Sequence, residues 1–159
     1  MKILFSLMVL FAVTKECSET KNVRSTENQD ISAKSEQEDS KSITYIIQSR
    51  GLFEEIIVSE GTIKLSNRNN SINSIEKKIP EKDWQEIQKF IGELNLEKLP
   101  NLKAPTDKRL YDGAAIATLK LKKNGKELST PAFDHGHPPE AIEALVNKIL
   151  SLKETSSKD

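Results

Sequence analysis

The chain has 159 residues, and its 24 Lys and Arg balance 24 Asp and Glu, so its formal net charge is zero. That balance, with five Phe, two Tyr and one Trp, gives neither the basic, aromatic-interleaved stripe that tracks nucleic acid nor an acidic block suited to a cationic partner. A single cysteine permits no intrachain disulfide, so an oxidising compartment would add no covalent staple.

Lys2 is followed by an almost unbroken apolar run from Ile3 to Val13 and then by the only cysteine, Cys17. A basic start, about eleven apolar residues and a polar drop is the layout of a secretory signal peptide; a bilayer span needs roughly 20. The expectation is an exported protein of the bacterial envelope, periplasmic, outer-membrane or secreted. Cys17 stands where bacterial lipoproteins are cleaved and acylated, although Thr14, Lys15 and Glu16 depart from the Leu and small residues of that motif. Ordinary cleavage near Ala12 or Thr14 is the rival expectation. Any membrane attachment is expected only through such an N-terminal lipid.

Residues 18–41 are Ser, Glu, Lys, Asn, Gln, Thr and Asp, broken only by Val23, Ile31 and Ala33. Too little apolar surface is available there to offset the entropy of ordering, so a disordered tether is expected. As a coil it would span on the order of 25–30 Å. Residues 42–153 then make one domain of ordinary size, and 154–159 read as a solvated tail.

In the domain, Ile43, Tyr45 and Ile47 alternate with Thr44, Ile46 and Gln48, predicting a strand to Ser49. Arg50-Gly51 punctuates; residues 53–58 give a second strand, Glu60-Gly61 a turn, Ile63 and Leu65 a third strand. A loop at 67–70 and a fourth strand over 72–79 complete a meander. Pro80 at a first helical position, with Glu81 and Asp83 behind it, opens a helix whose stripe is Trp84, Ile87, Ile91 and Leu94, with Gly92 at its frayed end. Leu96, Leu99 and Leu102, with Pro100 between, form an apolar connector.

The second half repeats the scheme. Residues 114–122 alternate, with Ala115, Ala117, Leu119 and Leu121 on one face. Asn124-Gly125 is the strongest short hairpin signal, because a type I′ turn needs positive φ at both central residues. The return strand runs from Lys126 towards Phe133, with Pro131 marking a sheet edge. Pro138-Pro139 starts a last helix, with Ile142, Leu145, Val146, Ile149 and Leu150 on its apolar face. The fold class is α+β: an antiparallel meander plus hairpin, two helices on one face, in the order β-β-β-β-α-β-β-α.

The element order, with Gly51-Leu52-Phe53, Leu99-Pro100, Asp112-Gly113, Gly125, Phe133-Asp134, Pro139 and Leu145, resembles the emfourin-like proteins over about residues 43–152. These are small bacterial domains that inhibit thermolysin-type metalloproteases, so the resemblance implies a protease as partner. The segment 104–111 departs from that pattern, as does the exported N-terminus. The chain is also similar to small lipoproteins of Bacteroidetes-type bacteria.

Two segments could carry chemistry. Phe133-Asp134-His135-Gly136-His137-Pro138-Pro139 holds both histidines of the chain, and two imidazoles with a carboxylate can bind zinc or copper if Asp107 or Asp112 adds a ligand. The plainer expectation is a connector in which Asp134 or a histidine caps the following helix. Residues 104–113 form a long charged loop with Arg109, Tyr111 and Asp112; Tyr and Arg are frequent binding hot spots, and Arg109 can grip a carboxylate. Its plainer reading pairs Arg109 internally with Asp107 or Asp112.

The sequence holds no phosphate-binding glycine loop, no helical His-Glu-x-x-His and no nucleophile elbow, so an enzyme is not expected, nor a cofactor. The leading expectation is a monomeric protein-binding module contacting its partner through Arg109, Tyr111, Asp112, Asp134, His135 and His137. The open edge at 126–130 is an added site for a partner's strand. The alternatives are a metal- or small-ligand-binding envelope protein centred on Asp134, His135 and His137, and a purely structural lipoprotein.

Overall fold

The alternation of Ile43, Tyr45 and Ile47 with polar neighbours produces strand β1, Ser42–Ser49, in a computed structural model that describes residues 41–67 and 74–157. The expected export signal, Cys17, residues 18–40, the centre of the 67–70 loop and the start of the expected fourth strand lie outside the described residues. The meander continues with β2, Leu52–Ser59, β3, Thr62–Asn67, and β4, Ile75–Lys78. Helix α1 spans Glu81–Glu93, a 3-10 turn covers Leu96–Asn101, and a single helical turn, α2, covers Lys108–Tyr111. Then come β5, Ile116–Lys123, β6, Lys126–Ser129, β7, Phe133–Asp134, and helix α3, Glu140–Ser156.

All pairings are antiparallel, in the order β4-β3-β2-β1-β5-β6, and β7 shares the outer edge of β5 with β6. One face of the sheet presents Ile43, Tyr45, Ile47, Ile56, Val58, Leu119 and Leu121 to the helices. Helix α1 closes on it with Ile87 and Ile91, and α3 with Ile142, Leu145, Val146, Ile149 and Leu152. Trp84 and Leu94, expected in the buried stripe, are half-buried, and Leu94 lies just past the helix as its extended C-cap. Lys148 on α3 binds Asp83 and Glu86 on α1 at 2.8 and 2.5 Å, and Lys153 pairs with Glu54 on β2.

The α+β architecture and its element order follow the sequence reading, with several local differences. Pro80 and Pro139 sit one residue before their helices, with ψ of 138° and 140°, because an extended cap residue directs the chain into the first turn. In α3 Leu152 is buried and Leu150 only half-buried, since 3.6-residue spacing from Val146 and Ile149 selects Leu152 for the core. The same helix runs to Ser156, three residues into the expected tail. Asn124 and Gly125 have φ of 52° and 75°, the paired positive values that a type I′ turn requires.

The return strand holds a β-bulge. Lys120 opposes Ser129 and Ala117 opposes Phe133, so three steps along β5 match four along its partner. The extra residue falls at 130–132, around Pro131, which has no amide hydrogen for the ladder. Thr130 covers the gap: its N–H bonds the Leu119 carbonyl at 2.9 Å, and its hydroxyl accepts the Leu119 N–H at 3.1 Å. One extra residue reverses the parity of everything after it, so Phe133 enters the core and Asp134 turns to the other face.

Candidate functional site

Asp134 is fully buried, and its carboxylate gathers the loop 104–113. Oδ2 accepts the Thr106 hydroxyl at 2.5 Å and the Lys108 backbone N–H at 2.8 Å. Oδ1 accepts the Arg109 backbone N–H at 2.8 Å and its Nη1 at 3.3 Å. The two backbone donors are the first free amides of α2, so a strand residue caps that helical turn from across the fold. Burial alone would raise the Asp134 pKa; the hydrogen bonds from Thr106, Arg109 and Lys108 outweigh it and hold the group down to about 2.

This replaces the expectation that Asp134 caps the last helix. Helix α3 has no side-chain cap at Pro139, because the bulge points Asp134 across the sheet edge towards α2 instead. A turn closed by His137 N–H to the Asp134 carbonyl at 2.9 Å, with Gly136 at φ +86°, carries the chain round to α3.

Arg109 is committed inside the loop. Nη1 also bonds the Thr106 carbonyl at 2.7 Å, Nη2 pairs with Asp107 at 2.9 Å, and only 14% of the side chain is exposed. The internal pairing with Asp107 read from the sequence is present; Asp134 is the second, unforeseen partner. Asp112 lies exposed at the end of α2, its N–H bonded to the Lys108 carbonyl. With the loop pinned from beneath, Leu110 and Tyr111 project outward, 75% and 78% exposed, the two most exposed large apolar side chains among the described residues.

His135 and His137 part company. His135 packs inward, its Nδ1 3.0 Å from the hydroxyl of the fully buried Tyr45 and its N–H on the Ala115 carbonyl. Burial lowers the His135 pKa, the Lys153 charge lowers it further, and Glu54 opposes them. Burial also pushes the Tyr45 hydroxyl above its ordinary range. His137 is exposed on the far side of the turn. Among the described residues no group of three His, Cys, Asp or Glu is arranged to hold a metal ion, and Asp134 already accepts four hydrogen bonds.

The lowered His135 pKa carries a sign. The unfolded chain binds this proton at a higher pH than the fold does, so the contribution is complete above the ordinary histidine value of 6.5. It is lost progressively as pH falls towards the folded value. Melting temperature is expected to fall from pH 7 to pH 5, and His135→Gln, which keeps an acceptor for Tyr45, is expected to flatten that slope. Thermal melts by circular dichroism at half-unit steps check it; an unchanged slope in the variant would assign the dependence elsewhere.

Register places the loop within the molecule. Ser42, where the N-terminal chain joins the sheet, pairs with Lys122 and Ser59 at one end, whereas Ser49 pairs with Leu52 and Ile116 with Asp134 at the other. At about 3.3 Å per residue the eight residues of β1 separate those ends by roughly 25 Å. The anchored loop thus stands at the sheet end remote from residue 42. Among the described residues no helix is long and apolar enough to cross a membrane. No protein-family model matches the chain, and no curated protein matches it significantly.

Proposed function

We propose that the protein is an exported, non-enzymatic protein-binding module of the bacterial envelope that contacts its partner through Leu110 and Tyr111. The observation that carries the reading is the pairing of two exposed apolar side chains with a rigid mount: α2 is a single turn, yet its first amides are fixed to a buried carboxylate. Fixing a contact loop before binding removes the ordering cost that a mobile loop would incur, and tyrosine supplies a large contact area at low entropic cost. The position of this tip, at the sheet end away from residue 42, supports presentation outward from an N-terminal tether. Lipid attached at Cys17 would make that tether a membrane anchor. The resemblance to emfourin-like domains supplies the class of partner, a thermolysin-type metalloprotease.

The test is inhibition of thermolysin-type metalloproteases by the purified full chain, together with affinity capture from envelope and culture-supernatant extracts. Tyr111→Ala is expected to weaken partner binding by on the order of 2 kcal/mol, tenfold or more, with the melting temperature nearly unchanged because the side chain is exposed. Binding unaffected by the Leu110→Ala/Tyr111→Ala double substitution would remove the tip from the contact surface. Capture with no specific partner and no inhibition would overturn the module reading itself.

A further inference from the structure

Beside the anchored loop lies a cleft of about 500 Å3 between the β1–β2 turn and the residues that follow Tyr111. Its lining includes Gln48, Ser49, Arg50, Arg109 and Ile116, and no carboxylate among the described residues. Gly113 and Ala114 form the remaining wall. Two arginines therefore line one cleft, Arg109 with its carboxylate partners Asp107 and Asp134 outside that lining and Arg50 with none among the described residues.

The two arginines differ in how they are held. Arg109 is fixed by Thr106, Asp134 and Asp107, with Asp107 reaching it from outside the cleft lining. Arg109 is 14% exposed but Asp107 is 62% exposed, so the pair opens to solvent on its acidic side, where another carboxylate can take the place of Asp107. Arg50 sits at the exposed corner of a two-residue turn and makes no hydrogen bond or ion pair among the described residues. A held arginine and a free one that line the same cleft as Ile116 suit an acidic side chain flanked by apolar residues.

We infer that this cleft takes an Asp or Glu side chain from the partner polypeptide that meets Leu110 and Tyr111, with Arg50 as its principal ligand and Arg109 as a fixed second donor. The inference rests on the binding-tip reading and adds to it the chemistry of the partner: an acidic residue next to an apolar one. The bond is charge-assisted and partly exposed, so it weakens as salt rises.

The test titrates the 15N-labelled full chain with an N-acetylated, C-amidated Leu-Glu-Phe peptide and with its Leu-Gln-Phe counterpart, followed by amide and arginine Nε shifts. Expected are shifts at residues 48–51 and 109–116 with the Glu peptide, at least tenfold weaker binding of the Gln peptide, and loss of the difference in Arg50→Gln. Arg50 makes no contact that the fold needs, so this variant is expected to stay folded. Equal binding of both peptides, or no shift at Arg50 and Arg109, overturns the inference. The two readings fail separately. If Tyr111→Ala loses the natural partner while Arg50→Gln keeps it, the tip stands and the acid-binding cleft falls; the reverse result removes the tip and keeps the cleft.

Discussion

Replacing Asp134 by alanine is expected to release the loop 104–113 and lower the melting temperature by more than about 10 °C, the largest effect of any single polar substitution in the domain. Four donors converge on this carboxylate, two of them backbone amides that have no alternative acceptor within α2. Removing it leaves the Arg109 guanidinium without its buried counter-charge and the Thr106 hydroxyl without an acceptor. Asp134→Asn is expected to be nearly as damaging, because its NH2 group would face a backbone N–H, donor against donor.

The same carboxylate dictates an acid limit. Its folded pKa, about 2, lies below the ordinary value of 3.8, so the unfolded chain takes up the proton first as pH falls. The stabilisation is complete above about pH 4 and is lost as pH falls through about 2. Thermal melts between pH 5 and pH 2 should show a steep decline in the parent chain and a shallower one in Asp134→Asn. The His135 contribution begins to be lost already as pH falls below 6.5, and comparison of Asp134→Asn with His135→Gln assigns each part of the decline. An Asp134→Ala variant melting within about 3 °C of the parent would show that the loop is held by other contacts.

Deleting Pro131 is expected to be tolerated, because the strand holds one residue more than its ladder needs. Without it, Ser129 to Phe133 takes three steps, matching the three from Lys120 to Ala117, so the ladder closes with no bulge and with unchanged parity. Phe133 would keep its place opposite Ala117 in the core; the damaging change here is Phe133→Ala, with the roughly 3–5 kcal/mol cost of truncating a core Phe. Asp134 would stay opposite Ile116 on the other face, where it holds Thr106 and α2. Pro131→Ala is the control. It keeps the residue count, and Pro131 is exposed, so a change within about 1 kcal/mol is expected. Heteronuclear NMR spectra of the two variants distinguish the cases. A deletion variant that unfolds, or that turns Phe133 out of the core, would mean that the bulge itself is needed there and not only accommodated.

Both effects centre on a juncture that carries the proposed binding tip without forming it. Leu110 and Tyr111 supply exposed apolar surface; Asp134 and the bulge fix where that surface points. Substitutions at the tip and at its mount should therefore part in their readouts, the first changing affinity at constant stability and the second changing both.

Local patterns determined much of this protein from sequence alone. The two-residue alternation of β1 and β5, the Asn124-Gly125 turn and the acidic first turns behind Pro80 and Pro139 each satisfy a short-range requirement, and short-range requirements are legible residue by residue. The bulge left a fainter mark. Leu128 and Phe133 are both apolar yet of opposite parity, which an uninterrupted strand counted from the turn cannot accommodate, and Pro131 stands between them. The exposed tip was partly visible, since Arg109 and Tyr111 stood out by residue type in a long loop. What no local pattern held was the division of labour between them. Asp134 meets Thr106, Lys108 and Arg109 from 25 to 28 positions away, and Tyr45 meets His135 across 90. Such contacts depend on which strands become neighbours and in what register, so only the tertiary structure decided that Arg109 belongs to the mount and Tyr111 to the surface.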